Sequence, residues 1–402
     1  MRVNITPSKA RGKIFAPPSK SMAHRMLIGA GLAEGESIIE NVDLSEDIKA
    51  TLGIIQGLGG TYRVEDRKAF VTGIGGKTAK SNQGLDSKES GSTLRFFIPI
   101  VLAKGGAYQF TGATRLFERP LDIYEQMCKE QDIAFEKSQN GLSVEGQLQS
   151  MRYKIPGNIS SQFITGLLYA LPLLSEDSIL EVLPPVESKA YISMTLEALR
   201  IFGIRVKQEN NTFYIAGNQT YQATNGTVEG DYSNAAFLDA LNLIGGNVAV
   251  DGLLNDSLQG DKIYKEYFKK IESGYADLDI SDCPDLGPIL IGMAAVCHGA
   301  RLTGTARLQI KESDRGRVMA EELAKFGVDV QVMDDEIVVR GGQLTTPKEI
   351  LQSHNDHRIA MTLATVCTIT GGTIEGAEAV RKSYPNYYEQ IEKLGIQLTR
   401  EG

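Results

Sequence analysis

The chain has 402 residues, of which 42% are hydrophobic and 23% are charged, and this composition indicates a globular protein of two or three domains. Its 42 Lys and Arg against 50 Asp and Glu give a net charge of -8, which argues against nucleic acid as the main partner because phosphate binding needs a basic surface. The four cysteines contain no Cys-x-x-Cys pair, and no apolar run has the length of a membrane-spanning helix. We therefore expect reduced thiols, no zinc site and a cytoplasmic location.

Helices and short strands are predicted to alternate along the whole chain. Each predicted helix begins at a polar residue, continues with apolar residues at helical spacing and ends at a glycine. The pattern gives about twelve helices, including those over 21–35, 47–60, 92–106, 160–174, 192–203, 233–246, 285–299, 314–327, 356–372 and 384–395. The recurrent glycine stop, as in Phe326-Gly327-Val328, indicates internal duplication of an α/β unit.

Three short patterns suggest nucleotide or metal sites, but simpler interpretations are favoured. Gly76-Lys77-Thr78 resembles the end of a P-loop, yet the first glycine of that motif would fall at Val71, so a surface turn is predicted. His354 and His357 have no third ligand nearby in the sequence, so no metal is expected there. The pair Asp334-Asp335 predicts a hairpin turn between two strands.

Cationic and hydroxyl side chains gather where predicted helices begin. Lys20, Ser21 and Arg25 open the first long helix, and the segments Gly91-Ser92-Thr93-Leu94-Arg95 and Ser160-Ser161-Gln162 open later ones. The free N–H groups and the dipole at a helix start favour a bound anion. Each segment taken alone could equally be an ordinary N-cap.

The densest run of charge is Lys311-Glu312-Ser313-Asp314-Arg315-Gly316-Arg317, which precedes another predicted helix. Asp356-His357-Arg358 and Arg381-Lys382-Ser383 also place cations at helix starts. Such cations oppose the helix dipole, so their placement costs stability unless an anion is bound there. The pattern predicts one pocket that collects phosphate and carboxylate groups.

Nine motifs spread over residues 13–395 occur in a fixed order: Lys20-Ser21 with Arg25, Gly91-Ser92-Thr93-Leu94-Arg95, Arg119-Pro120, Ser160-Ser161-Gln162, Ser188-Lys189-Ala190-Tyr191, Pro284-Asp285, Lys311-Glu312-Ser313-Asp314-Arg315, Asp356-His357-Arg358 and Lys382-Ser383-Tyr384-Pro385. In these motifs and their order the chain resembles the 5-enolpyruvylshikimate-3-phosphate synthase family of enolpyruvyl transferases. Nine ordered motifs make chance agreement negligible.

The resemblance implies an α/β fold, a two-domain inside-out α/β barrel built from six βαβαββ repeats. One domain would comprise residues 1–18 and 229–402 and the other residues 19–228, with three repeats each and the active site in the cleft between them. The implied reaction adds the 5-hydroxyl of shikimate 3-phosphate to C2 of phosphoenolpyruvate, protonates C3 and then expels phosphate. It needs no metal and no organic cofactor. The family serves aromatic amino acid biosynthesis and is the target of glyphosate.

The resemblance also implies roles for the matching residues. Asp285 would be the base near the 5-hydroxyl and Glu312 the proton donor to the methylene carbon, since addition and elimination need an acid and a base. Lys20 and Lys311 would hold the reacting oxygens and stabilise charge. Phosphoenolpyruvate would be bound by Lys20, Gly91, Arg119, Gln162, Arg315, Arg358 and Lys382. Shikimate 3-phosphate would be bound by Lys20, Ser21, Arg25, Ser160, Ser161, Gln162, Ser188, Tyr191, Asp285 and Lys311.

Some positions carry a second interpretation or depart from the family's pattern. Without the resemblance, Asp285 would be interpreted as the N-cap of the helix that follows it. Arg307 stands where an asparagine is usual, and we leave it outside the site. Asn386 replaces an aspartate and is expected to cap a helix. Ala190 replaces a proline, which loosens the turn but is compatible with the expected substrate contacts of Ser188 and Tyr191.

Two other functions fit parts of this pattern. A UDP-N-acetylglucosamine 1-carboxyvinyltransferase has the same fold, but it begins with Lys-Asn where this chain has Lys20-Ser21, and it uses a loop cysteine, whereas Cys128 is predicted inside a helix. A non-catalytic paralogue that binds phosphorylated metabolites would need only the cations, so Asp285 and Glu312 count against it. We expect a monomer that binds two small substrates and neither nucleic acid nor a membrane.

Overall fold

The computed structural model of the chain describes residues 1–75 and 84–402, so the predicted turn at Gly76-Lys77-Thr78 lies outside the described residues. The chain forms two compact units. The terminal unit comprises Met1–Ser19 and Glu229–Gly402, and the central unit comprises Lys20–Val228. Each unit has its own hydrophobic core.

The described residues form 13 α-helices and 22 strands. The helices are α1 (Lys20–Leu32), α2 (Glu46–Gly57), α3 (Gly91–Lys104), α4 (Thr114–Glu118), α5 (Asp122–Lys129), α6 (Ser161–Ala170), α7 (Lys189–Ile201), α8 (Tyr232–Leu243), α9 (Tyr264–Ser273), α10 (Gly287–Val296), α11 (Arg315–Ala324), α12 (His357–Thr370) and α13 (Tyr387–Lys393). The strands are β1 (Arg2–Thr6), β2 (Arg11–Phe15), β3 (Glu36–Glu40), β4 (Thr61–Glu65), β5 (Lys68–Thr72), β6 (Gly84–Asp86), β7 (Gly106–Thr111), β8 (Ala134–Lys137), β9 (Gly141–Gly146), β10 (Arg152–Pro156), β11 (Ser178–Leu183), β12 (Val206–Glu209), β13 (Thr212–Ile215), β14 (Gly226–Thr227), β15 (Asn247–Asp251), β16 (Ala276–Asp279), β17 (Ala300–Thr303), β18 (Val330–Val332), β19 (Glu336–Val339), β20 (Leu351–Gln352), β21 (Gly372–Glu375) and β22 (Gln397–Glu401). Short 3-10 helices cover Leu171–Leu173, Gly260–Ile263, Pro284–Leu286, Ala306–Ile310 and Ala377–Lys382.

The sheets repeat one pattern. In the order β6-β7-β9-β8, the first pair is parallel and the other two pairs are antiparallel, and the chain runs β6-α3-β7, then through α4 and α5 to β8-β9. The same sheet pattern recurs in β10-β11-β13-β12, β14-β3-β5-β4, β16-β17-β19-β18 and β20-β21-β1-β22. A sixth sheet consists only of the parallel pair β2 and β15. Five of the sheets are thus complete βαβαββ sheets, and the sixth is reduced to two strands.

Each of the ten helices named in the sequence analysis is present, usually shorter than predicted because the glycine stop lies beyond the last helical residue. In α2, for example, Ser45 accepts a hydrogen bond from the N–H of Ile48 at the start, and Gly59 with φ of 105° follows the end. Asp334 and Asp335 join β18 to β19, as the hairpin prediction requires. The capping role predicted for Asn386 is wrong, because Asn386 precedes α13 without a capping side-chain hydrogen bond.

Six helices are buried along most of their length, namely α1, α3 and α6 in the central unit and α8, α10 and α12 in the terminal unit. A helix that is apolar on all sides belongs in a protein interior. The starts of five of these helices carry residues singled out by the sequence: Lys20, Gly91, Ser161, Asp285 just before α10, and Arg358. The buried helices therefore fix the backbone from which the predicted functional side chains project.

No helix in the described part of the chain combines the length and the apolar character needed to cross a membrane.

Candidate active site

Asp285 binds three cationic side chains of the terminal unit. Its Oδ1 accepts from Arg315 Nη1 at 3.0 Å and from Lys311 Nζ at 3.1 Å, and its Oδ2 accepts from Arg358 Nη2 at 3.0 Å. Asp285 lies in the 3-10 turn before α10, and α10 begins without a capping side chain. The interpretation of Asp285 as a helix cap is therefore wrong, and its carboxylate instead forms the centre of a charged cluster.

Arg315 is the most deeply buried cation of this cluster, with 1% of its side chain exposed. Its Nε donates to Asp356 Oδ2 at 2.8 Å and its Nη2 donates to Glu312 Oε2 at 2.8 Å. Burial lowers the pKa of Arg315, but the carboxylates of Asp356, Glu312 and Asp285 outweigh it and hold that pKa above its usual value. Arg315 is thus a permanent cation held by three carboxylates.

Asp356 joins the cluster to the start of α12. Its Oδ1 accepts from the backbone N–H of Arg358 at 2.9 Å as the N-cap, and Ser313 Oγ donates to its Oδ2 at 3.1 Å. Burial raises the pKa of Asp356, but the Arg315 guanidinium outweighs this and holds it below the usual range. Asp356 is part of a motif quoted above but was not among the predicted site residues.

The terminal cluster is balanced in charge. Lys311, Arg315 and Arg358 are met by Asp285, Glu312 and Asp356, so carboxylates of the chain itself supply the anions that these helix starts were expected to take from a ligand. A long-range partner thus compensates the unfavourable placement near the helix dipole, and the predicted binding of phosphate and carboxylate groups at these cations stays a prediction. A bound anion must therefore compete with the chain's own carboxylates.

Two further cations lie beside this cluster. Lys382 is buried and its Nζ donates to the backbone oxygen of Asn355 at 2.5 Å. Arg307 is also buried and donates to the backbone oxygen of Ser281, and its charge contributes to lowering the pKa of Lys311. Burial is the main cause of that lowered pKa, and Asp285 opposes it. The structure thus places Arg307 next to the predicted site, although the sequence analysis left it out.

Asp261 is a second buried carboxyl group near Asp285. Ser233 Oγ donates to it, and Asp261 is 3% exposed. Burial, with a further contribution from the charge of Asp285, raises the pKa of Asp261 to about 7. Arg358 opposes this shift. Asp261 therefore holds its proton to a higher pH than an ordinary carboxyl group, a property that no local sequence pattern around Gly260 indicates.

Replacing Asp261 with asparagine should flatten the pH dependence of stability. A carboxyl with a pKa of 3.8 in the unfolded chain and about 7 in the folded one binds an extra proton on folding, so stability falls as pH rises between these two values. Between about pH 5 and about pH 8, the free energy of unfolding of the unmodified protein should fall by roughly 2–3 kcal/mol more than that of Asp261→Asn, whose side chain still accepts a hydrogen bond from Ser233. Thermal unfolding at each pH measures this difference. Parallel curves for the two proteins would contradict the assignment.

In the central unit, Lys20 forms an ion pair with Asp47. Lys20 Nζ lies 2.8 Å from Asp47 Oδ2, and the two side chains are 14% and 10% exposed. Asp47 stands in the first turn of α2, where an acidic residue is common for its favourable interaction with the helix dipole. Because this position accounts for an aspartate without any distant partner, the sequence alone did not indicate that Asp47 pairs with Lys20.

Gln162 connects the starts of α3 and α6. Its Nε2 donates to Ser92 Oγ at 2.9 Å, its Oε1 accepts from Arg95 Nη1 at 2.7 Å, and its backbone N–H donates to Ser160 Oγ at 3.3 Å. Arg95 Nη2 also donates to the backbone oxygen of Pro120. Ser160 is therefore the N-cap of α6, and Gln162 and Arg95 are held in fixed positions by neighbouring elements.

Arg119 lies against the backbone at Gly91. A Cβ atom added to Gly91 would lie 2.5 Å from Arg119 Nη1 and 2.8 Å from its Cζ. Any larger residue at Gly91 would therefore displace the guanidinium. The two residues were predicted to bind the same substrate, and the structure brings them together.

Arg25 is a buried cation surrounded by neutral oxygens. It donates to Ser21 O at 2.7 Å, Thr195 Oγ1 at 2.9 Å, Tyr191 O at 3.0 Å and Thr165 Oγ1 at 3.3 Å. No carboxylate of the described residues forms an ion pair with it, and burial lowers the pKa of Arg25 to about 10. An anionic ligand would therefore find a charge that is not yet neutralised.

The remaining predicted residues lie around Arg25 and at the start of α6. Tyr191 places its ring 5.8 Å from the guanidinium carbon of Arg25. Ser188 is buried and precedes α7 with a left-handed φ of 55°. Ser161 is the buried first residue of α6. The structure thus gathers the central-unit candidates in three places, around Lys20, Gln162 and Arg25.

Among the described residues, no group of three or more His, Cys, Asp or Glu is arranged to hold a metal ion. His354 contacts Glu322, and His357 lies 3.8 Å from Asp356.

Comparison with known proteins gives a consistent result. The family model described as EPSP synthase (3-phosphoshikimate 1-carboxyvinyltransferase) matches residues 5–391. The chain is 41% identical to a 3-phosphoshikimate 1-carboxyvinyltransferase of Clostridium perfringens, with both chains covered fully, and 39% identical to one of Clostridium novyi, with 98% and 97% covered. An EPSP synthase structure from Acinetobacter baumannii matches at a TM-score of 0.81 and 23% identity over all of both chains. This structural likeness confirms the predicted two-domain inside-out α/β fold.

Proposed function

Because the chain belongs to the EPSP synthase family, we propose that the residues of its terminal and central clusters bind phosphoenolpyruvate and shikimate 3-phosphate. The chain is a 3-phosphoshikimate 1-carboxyvinyltransferase of the shikimate pathway. It transfers the enolpyruvyl group of phosphoenolpyruvate to the 5-hydroxyl of shikimate 3-phosphate and releases phosphate. A UDP-N-acetylglucosamine enzyme and a non-catalytic paralogue are not favoured.

The observation that carries the assignment of roles is the contact of Asp285 with three cations beside Glu312. These cations hold the Asp285 carboxylate as they would hold an anionic ligand. The carboxylate and phosphate of phosphoenolpyruvate compete for Arg315 and Arg358, and they leave Asp285 available as a base. Substrate binding and activation of the base are thereby linked.

The addition step then needs one acid and one base. Asp285 takes the proton of the 5-hydroxyl as its oxygen bonds to C2. Glu312, which takes up a proton from solvent once phosphoenolpyruvate replaces it at Arg315, gives that proton to C3. In the elimination step Glu312 takes a proton back from C3, the double bond forms again, and the C2–O bond to phosphate breaks as the departing phosphate receives the proton held by Asp285. Lys311, whose pKa is lowered by burial, lies against Asp285 and stabilises the charge that develops on the reacting oxygens.

The central cluster supplies the other half of the contacts. Arg25, which pairs with no carboxylate of residues 1–75 or 84–402, binds an anionic group of shikimate 3-phosphate together with Ser21, Ser160, Ser161, Ser188 and Tyr191. Arg119 above Gly91 binds phosphoenolpyruvate, and Gln162 contacts both substrates. Lys20 balances its charge with Asp47 until substrate enters. Lys382 completes the phosphoenolpyruvate site on the terminal unit.

Release of inorganic phosphate on mixing the two substrates tests the function. We expect phosphate only when phosphoenolpyruvate and shikimate 3-phosphate are both present, and none when UDP-N-acetylglucosamine replaces the latter. Phosphate release with the nucleotide sugar would favour the other transferase, and tight binding without release would favour the paralogue.

The proposal extends to a monomer that works in the cytoplasm without a metal or an organic cofactor. Light scattering on the purified protein should give a mass near 43.8 kDa. Activity should persist after treatment with a chelator.

A further inference from the structure

Glu322 is a buried carboxylate in the terminal unit that the reaction does not use. Its side chain is 2% exposed. Its Oε1 is 2.9 Å from His354 Nε2 and from Lys325 Nζ, and its Oε2 accepts from the backbone N–H of Gln352 at 3.0 Å. A buried carboxylate with this many donors is costly to disturb, since loss of its charge leaves the donors without a partner.

Glu322 and Arg315 lie seven residues apart in α11, which is about two helical turns, so both project from the same face of the helix. Arg315 binds Asp356, whereas Glu322 binds Gln352 and His354. The segment from residue 352 to residue 356 is thus attached to α11 at both ends. It runs between β20 and the start of α12.

This segment makes a tight turn through two consecutive left-handed residues. His354 and Asn355 have φ of 51° and 54°, a conformation that residues with a side chain adopt rarely. The backbone oxygen of Asn355 accepts from Lys382 Nζ, and Asp356 caps the helix start that carries Arg358. The turn therefore sets the positions of two cations assigned to phosphoenolpyruvate.

We propose that Glu322, through its contact with His354, is a positioning residue for phosphoenolpyruvate binding, because it holds the turn that orients Lys382 and Arg358. The inference rests on the proposed function, which assigns these two cations to that substrate. Glu322 acts two helical turns from Arg315, and the residues that it contacts in the described part of the chain, Lys325, Gln352 and His354, are assigned to neither substrate.

The first test is Glu322→Gln, which keeps the shape of the side chain and removes its charge. We expect the KM for phosphoenolpyruvate to rise about tenfold, with the KM for shikimate 3-phosphate within about twofold and kcat within about threefold. The matched control is Glu321→Gln, because Glu321 is the neighbouring residue of α11 and its ion-pair partner among the described residues is the exposed Arg317. The control should leave all three constants unchanged. Equal rises in both KM values would overturn the proposal.

His354→Gly separates the side-chain contact from the backbone conformation. Glycine adopts a left-handed φ without cost. If only the backbone conformation of His354 matters, His354→Gly should therefore leave the KM for phosphoenolpyruvate unchanged. The positioning role predicts the same selective rise in the KM for phosphoenolpyruvate. Combined with Glu322→Gln, it should raise the KM for phosphoenolpyruvate no further, because both changes act on that KM through the contact of Glu322 with His354. A fully additive double variant, or a normal KM in His354→Gly, would also overturn the proposal.

Lys382→Ala distinguishes failure of this inference from failure of the site assignment. If Lys382→Ala leaves the KM for phosphoenolpyruvate unchanged, the assignment of that residue to the substrate is wrong, and the inference fails with it. If Lys382→Ala raises this KM while Glu322→Gln and His354→Gly do not, only the positioning role is wrong.

Discussion

Turnover in an Asp285→Asn enzyme should fall by roughly 10²–10⁴-fold, with substrate binding retained. Asparagine has nearly the shape of aspartate but cannot take a proton from the 5-hydroxyl of shikimate 3-phosphate. Phosphate release under saturating substrates measures the loss, and quenching of intrinsic tyrosine fluorescence on titration with shikimate 3-phosphate measures binding. An active Asp285→Asn enzyme would exclude Asp285 as the base.

The same substitution should also lower stability. If Asp285 were a helix cap, asparagine would replace it without loss, since the two residues cap about equally well. The observed ion pairs predict instead that Lys311, Arg315 and Arg358 repel one another once the carboxylate charge is removed, at a cost of about 1–3 kcal/mol in the free energy of unfolding. Asp277→Asn, an exposed change on β16, is the control and should alter neither turnover nor melting temperature.

Arg25→Ala should impair the use of shikimate 3-phosphate, whereas Arg119→Ala should impair the use of phosphoenolpyruvate. Removing Arg25 takes away a buried cation that pairs with no carboxylate in the described part of the chain. The kcat/KM for shikimate 3-phosphate should therefore fall by a factor that corresponds to roughly 2–4 kcal/mol of transition-state stabilisation. Removing Arg119 should produce a loss of the same size for phosphoenolpyruvate, because its guanidinium lies over Gly91 at the start of α3.

Steady-state kinetics with each substrate varied in turn measure both effects. The substrate that a given variant does not bind directly should keep its KM within about threefold. Arg115→Ala is a suitable control, because Arg115 is an exposed cation that pairs with Glu118 on α4. If either variant lowered the kcat/KM for both substrates equally, the assignment of that arginine to one substrate would be wrong.

The helices could be predicted well because their signals are local. A polar start, apolar residues at helical spacing and a glycine stop all lie within one element, and α2 with Ser45 and Gly59 shows each of them. Partnerships between elements have no such signal. Lys20 and Asp47 are 27 residues apart, and each has an adequate local explanation as part of a helix start.

Asp285 shows the same limit at the site itself. Its position after Pro284 and before an apolar helix is typical of a cap, and only packing of α10 against α11 and α12 brings it to three cations. The charge compensation in this cluster depends on residues 26, 30 and 73 positions away, which no periodicity or composition encodes. Motif resemblance identified the residue, but not what it binds in the free protein.

The pairing of β1 has a consequence for synthesis on the ribosome. Residues of β1 pair with β22, and Arg2 lies opposite Glu401. Because β1 is synthesised long before β22, it cannot complete its strand pairing until β22 has been made. The central unit is continuous from Lys20 to Val228 and can fold while the remainder is still being translated. Until β22 has been made, β1 lacks this neighbour, and a chain truncated before Gln397 would leave β1 as an unprotected sheet edge open to aggregation.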